Sequence, residues 1–110
     1  MGAVMLRLIY LSELRPSVNG PELAFITQEA ARHNHSIGVS GILAVEGRRV
    51  CQILEGEPDS VAALFEKIER DPRHTGVVEI DRREIAERKF GRWSMVHRPM
   101  IDVVTAILAP

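Results

Sequence analysis

The chain has 110 residues, with 14 Lys plus Arg, 15 Asp plus Glu and a formal net charge of −1, which sets the expectation of a single domain. Hydrophobic residues at 45% and charged residues at 26% exclude a disordered chain, and the near-neutral balance argues against a dedicated nucleic-acid binder. One cysteine, Cys51, excludes an internal disulfide and a cysteine-rich zinc site; with no signal-peptide pattern and no apolar run of spanning length, the expected compartment is a reducing cytoplasm, away from any membrane.

In chain order, residues 5–12 read as a strand, with Leu6, Leu8, Tyr10 and Ser12 on one face and Arg7, Ile9 and Leu11 on the other. Pro16 and Gly20 break the following loop. Residues 21–35 read as a helix opened by Pro21 and Glu22, with Leu23, Ile26, Thr27, Ala30, Ala31 and Asn34 in one continuous stripe. Residues 38–45 and 48–55 read as strands joined at Glu46–Gly47. On the second of these, Val50, Gln52 and Leu54 share one face, and Cys51, Ile53 and Glu55 the other. Residues 58–70 read as a helix burying Val61, Leu64, Phe65 and Ile68, and Pro72 ends it. Residues 76–82 and 91–97 read as strands, with EIAERKF as a turn or one helical turn between them. In the tail, 98–110, a short helix is expected to line one side with Met100, Ile101, Val104, Ile107 and Leu108.

The order β-α-β-β-α-β-β predicts an α+β domain over 5–97: a ferredoxin-like split βαβ sheet, five-stranded and mixed, with two helices on one face. The first and third strands then lie side by side in its centre. Tyr10 and Gln52 face the helices from those two strands, and Asn34 closes the inward stripe of the first helix. Burying such groups without partners costs about 1–3 kcal/mol each. Two readings stand: the three groups satisfy one another, or a flat heteroaromatic ligand lies between the helices and is hydrogen-bonded along its edge. Trp93 and Met95 share a face of the last strand, where core packing is the ordinary explanation. Asp71, Arg73 and His74 form either a solvated loop or a ring-edge site. The four histidines show no metal spacing, and Cys51 has no activating neighbour in the pattern.

The motifs LIYLS with Tyr10, ARHN with Asn34, GVSGIL, VCQILEGE with Gln52, RDPRH with Asp71, and FGRWSM with Trp93 and Met95 together resemble the BLUF domains, blue-light sensors that use a flavin. The resemblance implies a flavin between the two helices, FAD first, with FMN or riboflavin as alternatives. It implies Asn34 on the carbonyl and amide edge of the ring, Gln52 between Tyr10 and the ring, and Ile26 on the ring face. Asp71, Arg73 and His74 would sit at its outer edge, and Lys67 towards the ribityl or phosphate end. The second Asn common in the family is absent; His33 and His35 flank Asn34 instead, and His33 is carried over as a ring-edge residue.

The implied activity is photochemical, without net turnover: Tyr10 donates an electron, Gln52 relays its proton, and a rearranged hydrogen-bond pattern remains. Trp93 and Met95 would pass the signal on. A chain of this length would signal through a separate protein partner, and Ile9, Leu11, Cys51 and Ile53 on the face opposite the helices are expected to support a homo-oligomer. The alternative is a ferredoxin-like ligand-binding or structural module without flavin. An acylphosphatase-like enzyme lacks its phosphate loop in SELRPSVNG, and an RNA binder lacks exposed strand aromatics.

Overall fold

The structure, a computed structural model, describes residues 4–90 and 96–108. Its elements are β1 (Met5–Leu14), α1 (Gly20–Ser36), β2 (Ser40–Glu46), β3 (Arg49–Gly56), α2 (Pro58–Arg70), β4 (His74–Ile85), β5 (Val96–Arg98) and α3 (Met100–Leu108). The strands form one sheet in the order β4-β1-β3-β2-β5, with β1 and β3 antiparallel at its centre and β5 parallel to β2.

Local chemistry sets the helix ends. The Asn19 side chain accepts the Glu22 amide at 2.8 Å and Pro21 occupies the first turn of α1, satisfying a donor that the helix leaves open. Beyond Ser36 the chain reverses through Gly38 at φ 71°, a left-handed conformation that glycine adopts without Cβ strain. Pro58 and Asp59 open α2, and Val61, Leu64 and Phe65 form its buried face.

Alternation along the central strands divides the core in two. Leu6, Leu8, Leu43, Val50 and Leu54 face the helices, against Val61, Leu64 and Phe65 of α2 and the half-buried Leu23 and Ala31 of α1. On the far face, Ile9, Ile42, Ala44, Cys51 and Ile53 lie beneath Phe90, Val103 and Met100.

Several expectations are corrected. The strand read over 76–82 runs from His74 to Ile85, so the EIAERKF segment starts as strand, not turn. At the sheet edge, backbone pairing to β1, with Met5 opposite Ile85, carries β4 through charged residues that show no apolar alternation. Of the strand expected over 91–97, the described residues show the end as β5, Val96–Arg98; residues 91–95, with Trp93 and Met95, lie outside the described residues. Among the described side chains of α3, Val103 is buried while Ile101, Val104 and Leu108 are exposed, and Ile107 lies outside the described side chains; a helix so rich in apolar residues offers two stripes, and the sheet takes the one through Met100 and Val103. Finally, Ile9, Cys51 and Ile53 are buried within the chain and only Leu11 of that expected surface is exposed, because α3 and Phe90 cover it.

Gly41 of β2 tests how tightly the centre is built. A Cβ there would land on the Ile53 backbone carbonyl oxygen of the neighbouring strand. Gly41→Ala should therefore prise β2 from β3 and cost several kcal/mol, on the order of 3 or more, read as a large fall in thermal midpoint.

Candidate functional site

Between α1, α2 and the near face of the sheet lies a cavity of about 330 Å³, within the size range of small-molecule sites. Its walls include Tyr10, Ile26, His33, Asn34, Gln52, Lys67, Asp71, Arg73 and His74. Every residue that the sequence put forward as ligand-binding therefore lines one space.

The register of the central strands builds the innermost end. Tyr10 pairs directly with Gln52 across β1 and β3, so both side chains emerge on the same face at adjacent positions. The Tyr10 hydroxyl donates to Gln52 Oε1. Tyr10 is 1% exposed and Gln52 5%. The phenol ring stands 5.5 Å from the Phe65 ring and edge-on to His74 at 6.5 Å. Burial pushes the Tyr10 pKa well above the ordinary phenol value, and the nearby Asp71 carboxylate adds to it; the phenol is neutral across the physiological range.

Asn34 enters from the last turn of α1 and is 2% exposed. Its backbone carbonyl accepts from Val39 at 2.8 Å and from Ile37 at 3.2 Å, which fixes the residue in place. Its Nδ2 is buried with no hydrogen-bond partner among the described residues. A buried donor in that state costs about 1–3 kcal/mol, and an acceptor placed in the cavity removes the cost.

At the mouth, Asp71 and Arg73 clasp each other, with Arg73 Nη2 to Asp71 Oδ2 at 2.6 Å and the Arg73 amide to Oδ1 at 2.9 Å. The hydrogen bonds from Arg73 hold the Asp71 carboxyl below its usual range, more strongly than partial burial raises it. His74 exchanges a hydrogen bond of 2.9 Å with Ser12 Oγ; burial lowers its pKa and Arg73 adds to the effect, against the pull of Asp71. Lys67 and His33 line the cavity from exposed positions.

Sequence reasoning missed Glu29 and Leu64 as lining residues and Ser12 as the partner of His74. Ser12 was visible as a polar residue on the Tyr10 face; Glu29 has no such signal, being a polar residue on an exposed helix flank. Cys51 is buried with a raised pKa from burial, an inert thiol. Among the described residues, no three His, Cys, Asp or Glu side chains group as for a metal, and no helix is long and apolar enough to cross a membrane.

A flavin suits these walls. Its flat apolar ring system matches the aliphatic lining of Ile26, Leu43, Val45 and Ile68, and its edge carbonyls are the acceptors that Asn34 Nδ2 lacks.

Comparison with known proteins points the same way. A family model described as "Sensors of blue-light using FAD" matches residues 5–96. The photoactivated adenylate cyclase subunit beta of Euglena gracilis is 34% identical over 101 residues, covering 90% of this chain and 12% of that protein. The blue light- and temperature-regulated antirepressor BluF of Escherichia coli K12 is 33% identical over 88 residues, covering 80% of this chain and 22% of its own. The solved dark-state structure of BlrB, a BLUF protein, superposes with a TM-score of 0.84 at 27% identity, covering 98% of this chain and 81% of that one. The chain thus spans about a tenth of the cyclase subunits it matches. With the match running from β1 to the start of β5, this chain belongs to the BLUF family of blue-light sensors that use FAD.

Proposed function

We propose that the chain works as a blue-light switch whose moving part is the Tyr10–Gln52 hydrogen bond. The observation that carries this reading is that bond itself, sequestered from water beside a cavity in which a third polar group, Asn34 Nδ2, lacks a partner. When bound, the flavin supplies blue absorption and an excited state that accepts one electron.

Everything else falls to the protein. Tyr10 is the electron donor. A phenol that loses an electron becomes a strong acid, and the hydrogen bond already directs its proton to Gln52 Oε1. With Tyr10 and Gln52 both buried, bulk water cannot take the proton first. Gln52 has donor and acceptor ends, so a proton gained at Oε1 with one passed from Nε2 to an acceptor that a bound flavin would offer, or rotation of the amide, reverses what it presents to each neighbour. Return of the proton and electron restores a neutral phenol, with Gln52 in a second arrangement of similar energy.

In this proposal Asn34 holds the ring edge, Ile26 packs on its face, and His33, Lys67, Asp71, Arg73 and His74 hold the outer edge and the ribityl end. FAD is the first choice, with FMN or riboflavin as alternatives. Trp93 and Met95 pass the change on to a separate effector protein, in a reducing cytoplasm. Self-association uses the part of the far face that α3 leaves open, around the exposed pair Leu11 and Val78.

Three outcomes test the site. Tyr10→Phe should keep bound flavin and lose the blue-light red shift, read from light-minus-dark absorption spectra; a retained shift removes Tyr10 from the switch. Asn34→Ala should weaken FAD binding by roughly tenfold, measured by calorimetric titration. His74 titrates in the unfolded chain near 6.5 and lower in the folded protein, so its contribution to stability is intact above about pH 6.5 and is lost as pH falls through the folded value. Denaturant midpoints between pH 7.5 and 5 should decline in the parent and less steeply in His74→Gln.

A further inference from the structure

On the far face of the sheet, Glu55 is a carboxylate with 0% exposure. Its position on β3 is three residues beyond Gln52, so strand alternation points the two side chains to opposite faces. Glu55 Oε1 accepts the Phe90 amide at 2.7 Å and the Lys89 amide at 3.0 Å, and Oε2 accepts Arg7 Nε at 2.7 Å. Arg88 adds a second tie from the same segment. Its Nη1 donates to Ser40 Oγ at 2.8 Å and to the Glu55 carbonyl at 3.1 Å, and its Nη2 to the Gly38 carbonyl at 2.6 Å.

Burying an ionised carboxylate is costly unless its oxygens are fully engaged. Here they are, and two of the donors are main-chain amides. No donor side chain intervenes between the carboxylate and the backbone of residues 89 and 90, and the carboxylate is sealed from bulk solvent.

The geometry points to Glu55 as a positioning residue: it makes the backbone of residues 88–90 follow the strand that carries Gln52, so a change in hydrogen bonding on the cavity face is read out on the opposite face. The inference rests on the Tyr10–Gln52 switch proposed above and adds its route out of the cavity. Neither Glu55 nor Arg88 lines that cavity.

The test is amide hydrogen exchange at Lys89 and Phe90 in the full chain loaded with FAD, in the dark and under blue light, alongside the absorption spectrum. In the parent, light should change exchange at both amides by about fivefold or more. In Glu55→Gln, which removes the charge and turns a donor towards donors, dark exchange should rise by roughly tenfold. The light-dependent difference should vanish while the red shift persists. If Glu55→Gln does not fold, Arg88→Met strands no buried charge and should shrink the light-dependent difference without altering the red shift. A red shift in the parent with no exchange change at either amide overturns the inference, as does a variant that keeps the full light-dependent difference. Absence of the red shift in the parent overturns the switch itself, and the inference with it.

Discussion

The direct pairing of Tyr10 with Gln52 across the two central strands is the constraint on which the site depends. Strand alternation leaves no freedom here: a slip of one residue between β1 and β3 would send one of the two groups to the far face. The buried apolar residues on either side, the Leu8–Leu54 pair towards one end and Val50 towards the other, hold that register through the near-side core. The polar pair is therefore placed by its neighbours. Hydrophobic packing pins the strands, and the phenol and amide inherit their positions.

The same packing leaves a gap. α2 closes on the sheet through Val61, Leu64 and Phe65, all buried, whereas the inward stripe of α1 is only half-buried apart from Asn34. A helix whose inner stripe stays half-exposed along most of its length is the boundary of a space. Polar groups gather at the two ends of that space, the Tyr10–Gln52 pair innermost and the Asp71–Arg73 clasp at the mouth. Burial keeps the phenol neutral, and the arginine keeps the carboxyl ionised. Charge is confined to the rim, and the interior holds neutral hydrogen-bonding groups.

Much of this was legible in the residues. The second helix stands at the bounds its Pro58 start and Pro72 stop indicate, because proline chemistry and an apolar stripe agree there. The cavity residues were legible because Tyr10, Gln52 and Asn34 are polar at positions whose period demands apolar ones. What was illegible was decided by long-range pairing. β4 is an edge strand of mixed charge, whose length is set by its partner β1 and not by its own pattern. The buried face of α3 depends on where the sheet sits, since apolar residues fall on more than one side of that helix. Glu55 was visible as a charge on an inward position of a strand, but two of its donors are backbone amides some 35 residues away, and backbone amides carry no sequence signature.

The hollow between the helices also has a bearing on how much of this protein a cell retains. Space that side chains leave unfilled forfeits dispersion contacts, and an unpaired amide there adds its own penalty. A ligand that fills both deficits binds the native chain and not the unfolded one, worth about 2.7 kcal/mol at a hundredfold excess over its dissociation constant. Without the ligand, a larger share of the chains is open to proteases at any moment. Flavin supply would then govern how much of the folded chain persists as well as its colour, so that chains unable to absorb light are the first to be removed.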